Sequence, residues 1–164
     1  MVDKLTPEQR RRCMQHNKSK GTQPELMLSH ELWHRGIRYR RNVRSVPGSP
    51  DICFKALKVA VFVDGDFWHG RDWEHTQHRI QSNRDFWFAK IQRNMERDRR
   101  VDDRLNKMGW QVIRIWEGDV RKSPSASADL VEAALRQRQL QHLHRIYSFD
   151  TQYEYNYAAE PDED

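Results

Sequence analysis

Apolar positions recur along the chain with two periods, one helical and one extended, separated by clusters of Gly, Pro and charge. Thr6-Pro7-Glu8-Gln9 has Thr at a helix N-cap, Pro in the first turn and Gln placed to close a capping box. It predicts a short basic helix to about residue 17. Residues 18–21 interrupt the pattern, and Thr22-Gln23-Pro24-Glu25 repeats the start signal. Leu26, Leu28, Leu32 and Trp33 supply that second helix with its apolar side, and Gly36 suits the left-handed residue past its end. Residues 37–43 alternate loosely and predict a strand, and Pro47-Gly48-Ser49-Pro50 predicts a turn. Residues 51–54 and 57–64 predict two more strands, the second almost wholly apolar, as a strand covered on both faces must be. A loop over 65–82 is rich in charge, His and Trp. A long helix follows over 83–108 and closes at Gly109. Then come a strand over 110–116, a linker over 123–127 and a last helix over 128–145. The order, α-α-β-β-β-α-β-α, predicts an α/β domain with a mixed central sheet flanked by helices. From Asp150 the chain is acidic, rich in Tyr and without period, and is expected to be a mobile tail beyond a body of residues 1–149.

A length of 164 residues suits one domain. The chain is polar, with a mean hydropathy of −1.04, yet its 6 Trp, 6 Phe and 5 Tyr argue against disorder. No apolar run reaches the roughly 20 residues of a membrane span, and the first residues lack the apolar stretch of a secretory signal. Cys13 and Cys53 are too few for a disulfide framework, so a cytoplasmic location is expected. Charge is unevenly spread. Residues 1–149 carry 29 basic and 18 acidic side chains, a net of +11, and 21 of the basic residues are Arg. The planar fork of Arg matches phosphate oxygens, so a polyanionic partner is expected, most simply nucleic acid.

Candidate chemistry collects around the central strands. A hairpin turning at Ala56 sets Asp51 opposite Phe62 and leaves Asp64 just past the end of its strand, so both carboxylates arrive at one rim of the sheet. Carboxylates there suit a hard cation such as Mg²⁺, which activates water at a phosphate; the alternative is a merely solvated acidic rim. Phe67-Trp68-His69 follows directly. The aromatics serve either as a core plug or as a wedge between bases, and His69 is placed to act as a general base. In the long helix, Trp87, Ile91, Asn94, Asp98, Val101, Leu105 and Met108 are spaced 4-3-4-3-4-3 and form one inner seam. A carboxylate on that seam needs a partner, and the candidates for Asp98 are His69 and Arg114. Glu25 either completes its capping box or reaches toward the rim.

Several runs occur in collinear order over about residues 10–120. They are Thr22-x-Pro24-Glu25, Gly36-x-Arg38-Tyr39-Arg40, Pro47-Gly48-x-Pro50-Asp51-Ile52, Val61-Phe62-Val63-Asp64-Gly65-x-Phe67-Trp68-His69-Gly70, Asn94-x-x-Arg97-Asp98, Gly109-Trp110-x-Val112 and Ile115-Trp116-Glu117. Together they resemble the very short patch repair (Vsr) endonucleases, within the PD-(D/E)XK restriction-endonuclease-like superfamily. The resemblance implies a Mg²⁺-dependent enzyme, with one or two ions, that nicks one DNA strand at a T·G mismatch. It implies Asp51 and the main-chain carbonyl of Val63 as metal ligands, His69 as base, Asp98 as its partner, and Asp64 and Glu25 in support. It implies DNA contacts from Phe67, Trp68, Trp87 and Asn94, and from Met14, Arg11, Arg12, Lys18 and Lys20 on or after a first helix that clamps the duplex. Expected partners are double-stranded, mismatched DNA and proteins of mismatch-repair or DNA methyltransferase pathways, for a monomer associated with the nucleoid.

One departure stands out. Family members carry a structural zinc on Cys and His ligands, whereas the matching positions here are Asp66, Arg71, Trp73 and Gly118, which cannot rebuild a tetrahedral thiolate site. No structural zinc is expected. Trp73 packing and an Asp66–Arg71 or Asp72–Arg79 ion pair are expected to hold the loop instead. Two other readings remain open: a Vsr-related nickase with a different trigger, and a non-catalytic DNA-binding module.

Overall fold

A computed structural model describes residues 6, 8–9, 20–80 and 83–157. The positions of Arg11, Arg12, Met14 and Lys18, the body of the first predicted helix and the last residues of the acidic segment lie outside the described residues. Thr6 and Gln9 exchange the two hydrogen bonds of a capping box, at 2.9 and 3.2 Å.

Helix α1 spans Gln23–His34, β1 Arg40–Arg41, β2 Ile52–Phe54 and β3 Val59–Asp64. A short helix α2, Trp73–Thr76, and a single 3₁₀ turn lie within the predicted loop. They are followed by α3 (Arg84–Lys107), β4 (Gln111–Trp116), α4 (Glu117–Lys122) and α5 (Pro124–Tyr157). The strands lie in sequence order. β1–β2 and β2–β3 are antiparallel, and β3–β4 is parallel, joined by the α3 crossover. This mixed sheet flanked by helices is the restriction-endonuclease-like arrangement. The hairpin has the expected register: Ile52 pairs with Val61 and Phe54 with Val59, which puts Asp51 opposite Phe62.

Both long turns out of helices are set by glycine. Gly36 and Gly109 have φ +77°. At each, the glycine N–H and the next N–H return to carbonyls of the last helical turn: Gly36 to Trp33, Ile37 to Leu32, Gly109 to Asn106 and Trp110 to Leu105. This is the Schellman closure that a left-handed residue permits.

β3 is covered on both faces. Val59 and Val61 pack with Leu28, Leu32, Val120 and Val131 from α1, α4 and α5. Ala60 and Phe62 pack with Val46, Cys53 and Leu105 on the α3 side. Alternation along β3 therefore aims Asp64 at α3.

Besides α2 and the 3₁₀ turn within the predicted loop, and α4, which the sequence reading lacked, three elements differ from that reading. The strand over 37–43 shrinks to Arg40–Arg41, because Asn42 at φ +49° turns the chain out of the sheet. The linker over 123–127 is helical: Ser123 caps the helix, its hydroxyl accepting from the Ala126 N–H at 3.2 Å, with Pro124 in the first turn. That helix continues to Tyr157, past the predicted end at 145 and into the segment expected to lack pattern. Among the described residues, no helix is long and apolar enough to cross a membrane.

Candidate active site

A cleft of about 640 Å³ opens at the rim where β3 ends and β2 begins; Asp51, Asp64, His69, Asp98, Glu25 and Lys20 all line it. The site residues brought forward by the sequence thus meet in one place, with α1, the strands, the loop after β3 and α3 each contributing.

Asp51 accepts a hydrogen bond from the Val63 N–H at 2.8 Å. In an extended strand the N–H and C=O of one residue face the same neighbour, so the Val63 carbonyl also opens on the Asp51 side of β3. Burial pushes Asp51 up to about 6. The Val63 hydrogen bond works against that rise, and the charges of Glu25 and Asp64 add to it. A desolvated carboxylate facing a cleft beside a carbonyl, among other acids, fits a hard divalent cation that keeps most of its remaining ligands as water or substrate oxygens. Among the described residues, no three His, Cys, Asp or Glu side chains form a ready cluster of ligands.

Glu25 is buried and reaches toward the rim, but it closes no capping box, since Thr22 makes no side-chain cap hydrogen bond. Its two oxygens accept from the Gly21 N–H at 2.7 Å and the Thr22 hydroxyl at 2.8 Å, fixing the turn into α1. Its charge also reaches Asp51.

His69 Nδ1 lies 2.6 Å from Asp98 Oδ2 and 3.4 Å from Asp64 Oδ1. Burial opposes ionisation of Asp98, but the hydrogen bond and charge of His69, with Arg114 and Arg97, outweigh it and hold Asp98 below the usual carboxylate range. An ionised Asp98 can only accept, so His69 donates to it from Nδ1, and Nε2 is the ring nitrogen left for proton transfer. The loop backbone is pinned on both sides of the imidazole. Asn94 donates to the Trp68 carbonyl at 2.9 Å, and the His69 N–H donates to the Gly65 carbonyl at 3.1 Å.

Both candidates meet Asp98: Arg114 Nη2 lies 3.8 Å from Asp98 Oδ1, farther than His69, and Arg114 is also a hub behind the site. It donates to both oxygens of Asp64 at 3.0 and 2.8 Å, to Asp102 at 2.9 Å, and to the Asp98 carbonyl at 3.5 Å, and it lies 4.6 Å over the Phe62 ring. Burial disfavours its charge, and the aspartates more than restore it. Asp64 is therefore saturated by Arg114. Sequence reading gave Arg114 only as an alternative partner of Asp98.

Beside the imidazole, Phe67 packs edge to face on Trp68 and on Trp87 with ring centres 5.3 and 5.4 Å apart, and Trp68 and Trp87 are tilted against each other at 5.7 Å. Lys90 lies 4.8 Å over Trp68. Phe86, which sequence reading passed over, extends the cluster at 5.2 Å from Trp87 and is 55% exposed, with Phe67 45% exposed. A core plug would not leave these rings in solvent.

Positions that match the family's zinc ligands are tied by ions and packing. Arg71 bridges Asp66 at 3.0 Å and Asp119 at 2.8 Å, and Trp73 packs on Phe88 with ring centres 5.0 Å apart. Gly118 lies against this pair: a Cβ there would come within 2.7 Å of Asp66 Oδ2. Asp72 pairs with His75 at 2.7 Å.

Comparison with known proteins gives the family. A family model, DNA mismatch endonuclease Vsr, matches residues 2–75. The type II nicking enzyme V.NmeDIP of Neisseria meningitidis serogroup C is 54% identical over 138 residues, covering 84% of this chain and 93% of that protein. The type II nicking enzyme V.HpaIIP of Haemophilus parainfluenzae is 49% identical over 138 residues, 84% of this chain and 98% of that protein. The DNA mismatch endonuclease Vsr of Escherichia coli (strain K12) is 32% identical over 124 residues, 74% of this chain and 77% of that protein. With that extent and identity, matched to a restriction-endonuclease-like sheet, the chain belongs to the Vsr endonuclease family.

Proposed function

We propose that the protein is a Mg²⁺-dependent DNA endonuclease that nicks one strand of a duplex at a T·G mismatch, a step of very short patch repair. The observation that carries this reading is the His69–Asp98 pair, 2.6 Å apart, set in the same cleft as the buried Asp51. Relatives named as nicking enzymes and as a DNA mismatch endonuclease support the reaction class.

Asp51 and the Val63 carbonyl would hold the cation. Bound there, it supplies charge stabilisation at the phosphate and a more acidic water. His69 takes the proton from the attacking water at Nε2, and Asp98 keeps the imidazole turned and favours the imidazolium that forms. Asp64, neutralised by Arg114, keeps its place without competing for that proton. Phe67, Trp68, Trp87 and Phe86 enter the base stack. Unstacking costs a few kcal/mol per step and is cheapest where pairing is already poor, so an aromatic wedge favours mismatches.

The test is a panel of otherwise identical duplexes, matched and carrying each mismatch, incubated with and without Mg²⁺. The expected result is one nicked strand, on the T·G duplex, only with Mg²⁺. Equal nicking of matched duplex overturns the mismatch reading, and nicking in excess EDTA overturns the metal.

A further inference from the structure

Helix α3 carries most of its basic residues on one flank. Lys90, Arg93, Arg97, Arg100, Arg104 and Lys107 are spaced 3-4-3-4-3, which places them along one flank of the helix. Of the five acidic residues of α3, Asp98 and Asp102 face Arg114, whereas Glu96 pairs with Arg100 at 2.8 Å and Asp103 lies among Arg100, Arg104 and Lys107 in one depression, so the flank is basic in excess and edged by two acids. Of the seven basic residues from Lys90 to Lys107, Arg99 alone stands off the flank.

The flank joins the cleft. Lys90 and Arg97 line the cleft itself, and Arg100, Arg104 and Lys107 line an open depression at the far end of α3. All but Lys90 are exposed. Among the described residues, only Arg97 and Arg100 of the six meet a carboxylate, Asp98 at 3.2 Å and Glu96 at 2.8 Å. At about 1.5 Å per residue, the row from Lys90 to Lys107 is roughly 26 Å long, most of a DNA helical turn of about 34 Å.

We propose that this flank of α3 is a phosphate track, along which one arm of the duplex runs away from the aromatic cluster, so that the enzyme's grip on DNA extends further on one side of the nicked bond than on the other. The inference rests on the reading of the cleft as a DNA nuclease site. It assigns Arg100, Arg104 and Lys107, which lie outside the cleft, to backbone contact. Such contacts position the duplex without reading its sequence.

The experiment compares wild type, the triple variant Arg100→Gln/Arg104→Gln/Lys107→Gln, and Arg99→Gln. Binding of a T·G duplex is measured across a salt series without divalent ion, and single-turnover nicking is measured separately with Mg²⁺. Each lost phosphate contact lowers the slope of log K against log salt by about 0.9. The triple variant is expected to lose about 2 to 3 from that slope, to bind at least 10-fold more weakly, and to nick saturating DNA within about threefold of the wild-type rate. Arg99→Gln is expected to keep the wild-type slope. Shortening one arm of the duplex is expected to weaken wild type and leave the triple variant indifferent, and shortening the other arm to affect both alike. An unchanged slope in the triple variant, or an equal fall in Arg99→Gln, overturns the track. If wild type binds duplex but does not nick it, the nuclease reading falls while the slopes still decide the track; if it binds no duplex, both fall. All four substituted positions are exposed, so an unchanged thermal melt accompanies a valid comparison.

Discussion

Asp51 and Asp64 stand at the two sides of one rim, and the chain treats them in opposite ways. Asp64 has both oxygens filled by Arg114, which Asp102 holds in turn. Among the described residues, Asp51 has one backbone N–H, two neighbouring carboxylates and the charge of Lys20 nearby. Burying a carboxylate costs free energy that, among the described residues, the Val63 N–H and the charge of Lys20 only partly offset. The paired aspartate belongs to the scaffold. The unpaired one is a place where the fold gives up stability for something that is not part of the chain.

The largest expected effect is the most direct way to break that contrast. Asp51→Asn should abolish Mg²⁺-dependent nicking while DNA binding stays within a few-fold of wild type, measured by gel nicking and fluorescence anisotropy. His69→Ala should lower the single-turnover rate by about 10²- to 10⁴-fold, the range that general base catalysis supplies. Asp64→Asn should fall well short of both. If Asp64→Asn matches Asp51→Asn in its metal dependence, the two carboxylates share the ion and the contrast is wrong.

A smaller effect, on the fold, comes from the other side of the rim. Arg114→Met leaves Asp64 and Asp102 without their cation, and breaking such a buried pair costs about 3 to 5 kcal/mol. Asp64→Asn leaves Arg114 to Asp102 and should cost about 1 to 2 kcal/mol. Urea denaturation of the two variants measures both. Equal losses would mean that Arg114 is no hub.

This difference between the two sides also separates what the sequence shows from what it hides. The hairpin register was legible because Pro47-Gly48-Ser49-Pro50 fixes where the first strand begins and the apolar run 59–63 fixes the second. The His69–Asp98 contact was legible as an inward carboxylate on a seam otherwise apolar but for Asn94, next to a loop imidazole. Arg114 was legible as a partner of Asp98 but not of Asp64, because an Arg within β4 reads as one polar step of an alternating strand, and Asp64 lies 50 residues away. Ser123-Pro124 carries the composition of a linker and the chemistry of a helix start; only the Ala126 hydrogen bond tells them apart. The strand over 37–43 failed because no side-chain pattern announces that Asn42 adopts φ +49°. In α2, four residues are too few to show any period.

The pH dependence of stability sharpens the contrast most finely. Asp51 titrates at about 6 in the folded protein and near 3.9 in an unfolded chain. The folded state therefore holds the Asp51 proton more tightly. The stability this contributes is fully present below about pH 4 and is lost as pH rises through 6, a change of roughly 3 kcal/mol. Asp98 has the opposite sign: its folded value is lowered, so its contribution is present at neutral pH and is lost on acidification. The two oppose each other in any single melting curve, and the difference between wild type and Asp51→Asn isolates the first. Without divalent ion, Asp51→Asn should match wild type near pH 4 and exceed it at pH 7.5, because Asn keeps an oxygen for the Val63 N–H and carries no charge. Adding Mg²⁺ should then raise the melting temperature of wild type at pH 7.5, raise it less at pH 5 where the proton competes, and leave Asp51→Asn unmoved. A wild-type curve parallel to that of Asp51→Asn from pH 4 to 7.5 would mean that Asp51 already has a partner within the chain, and that the fold gives up nothing there.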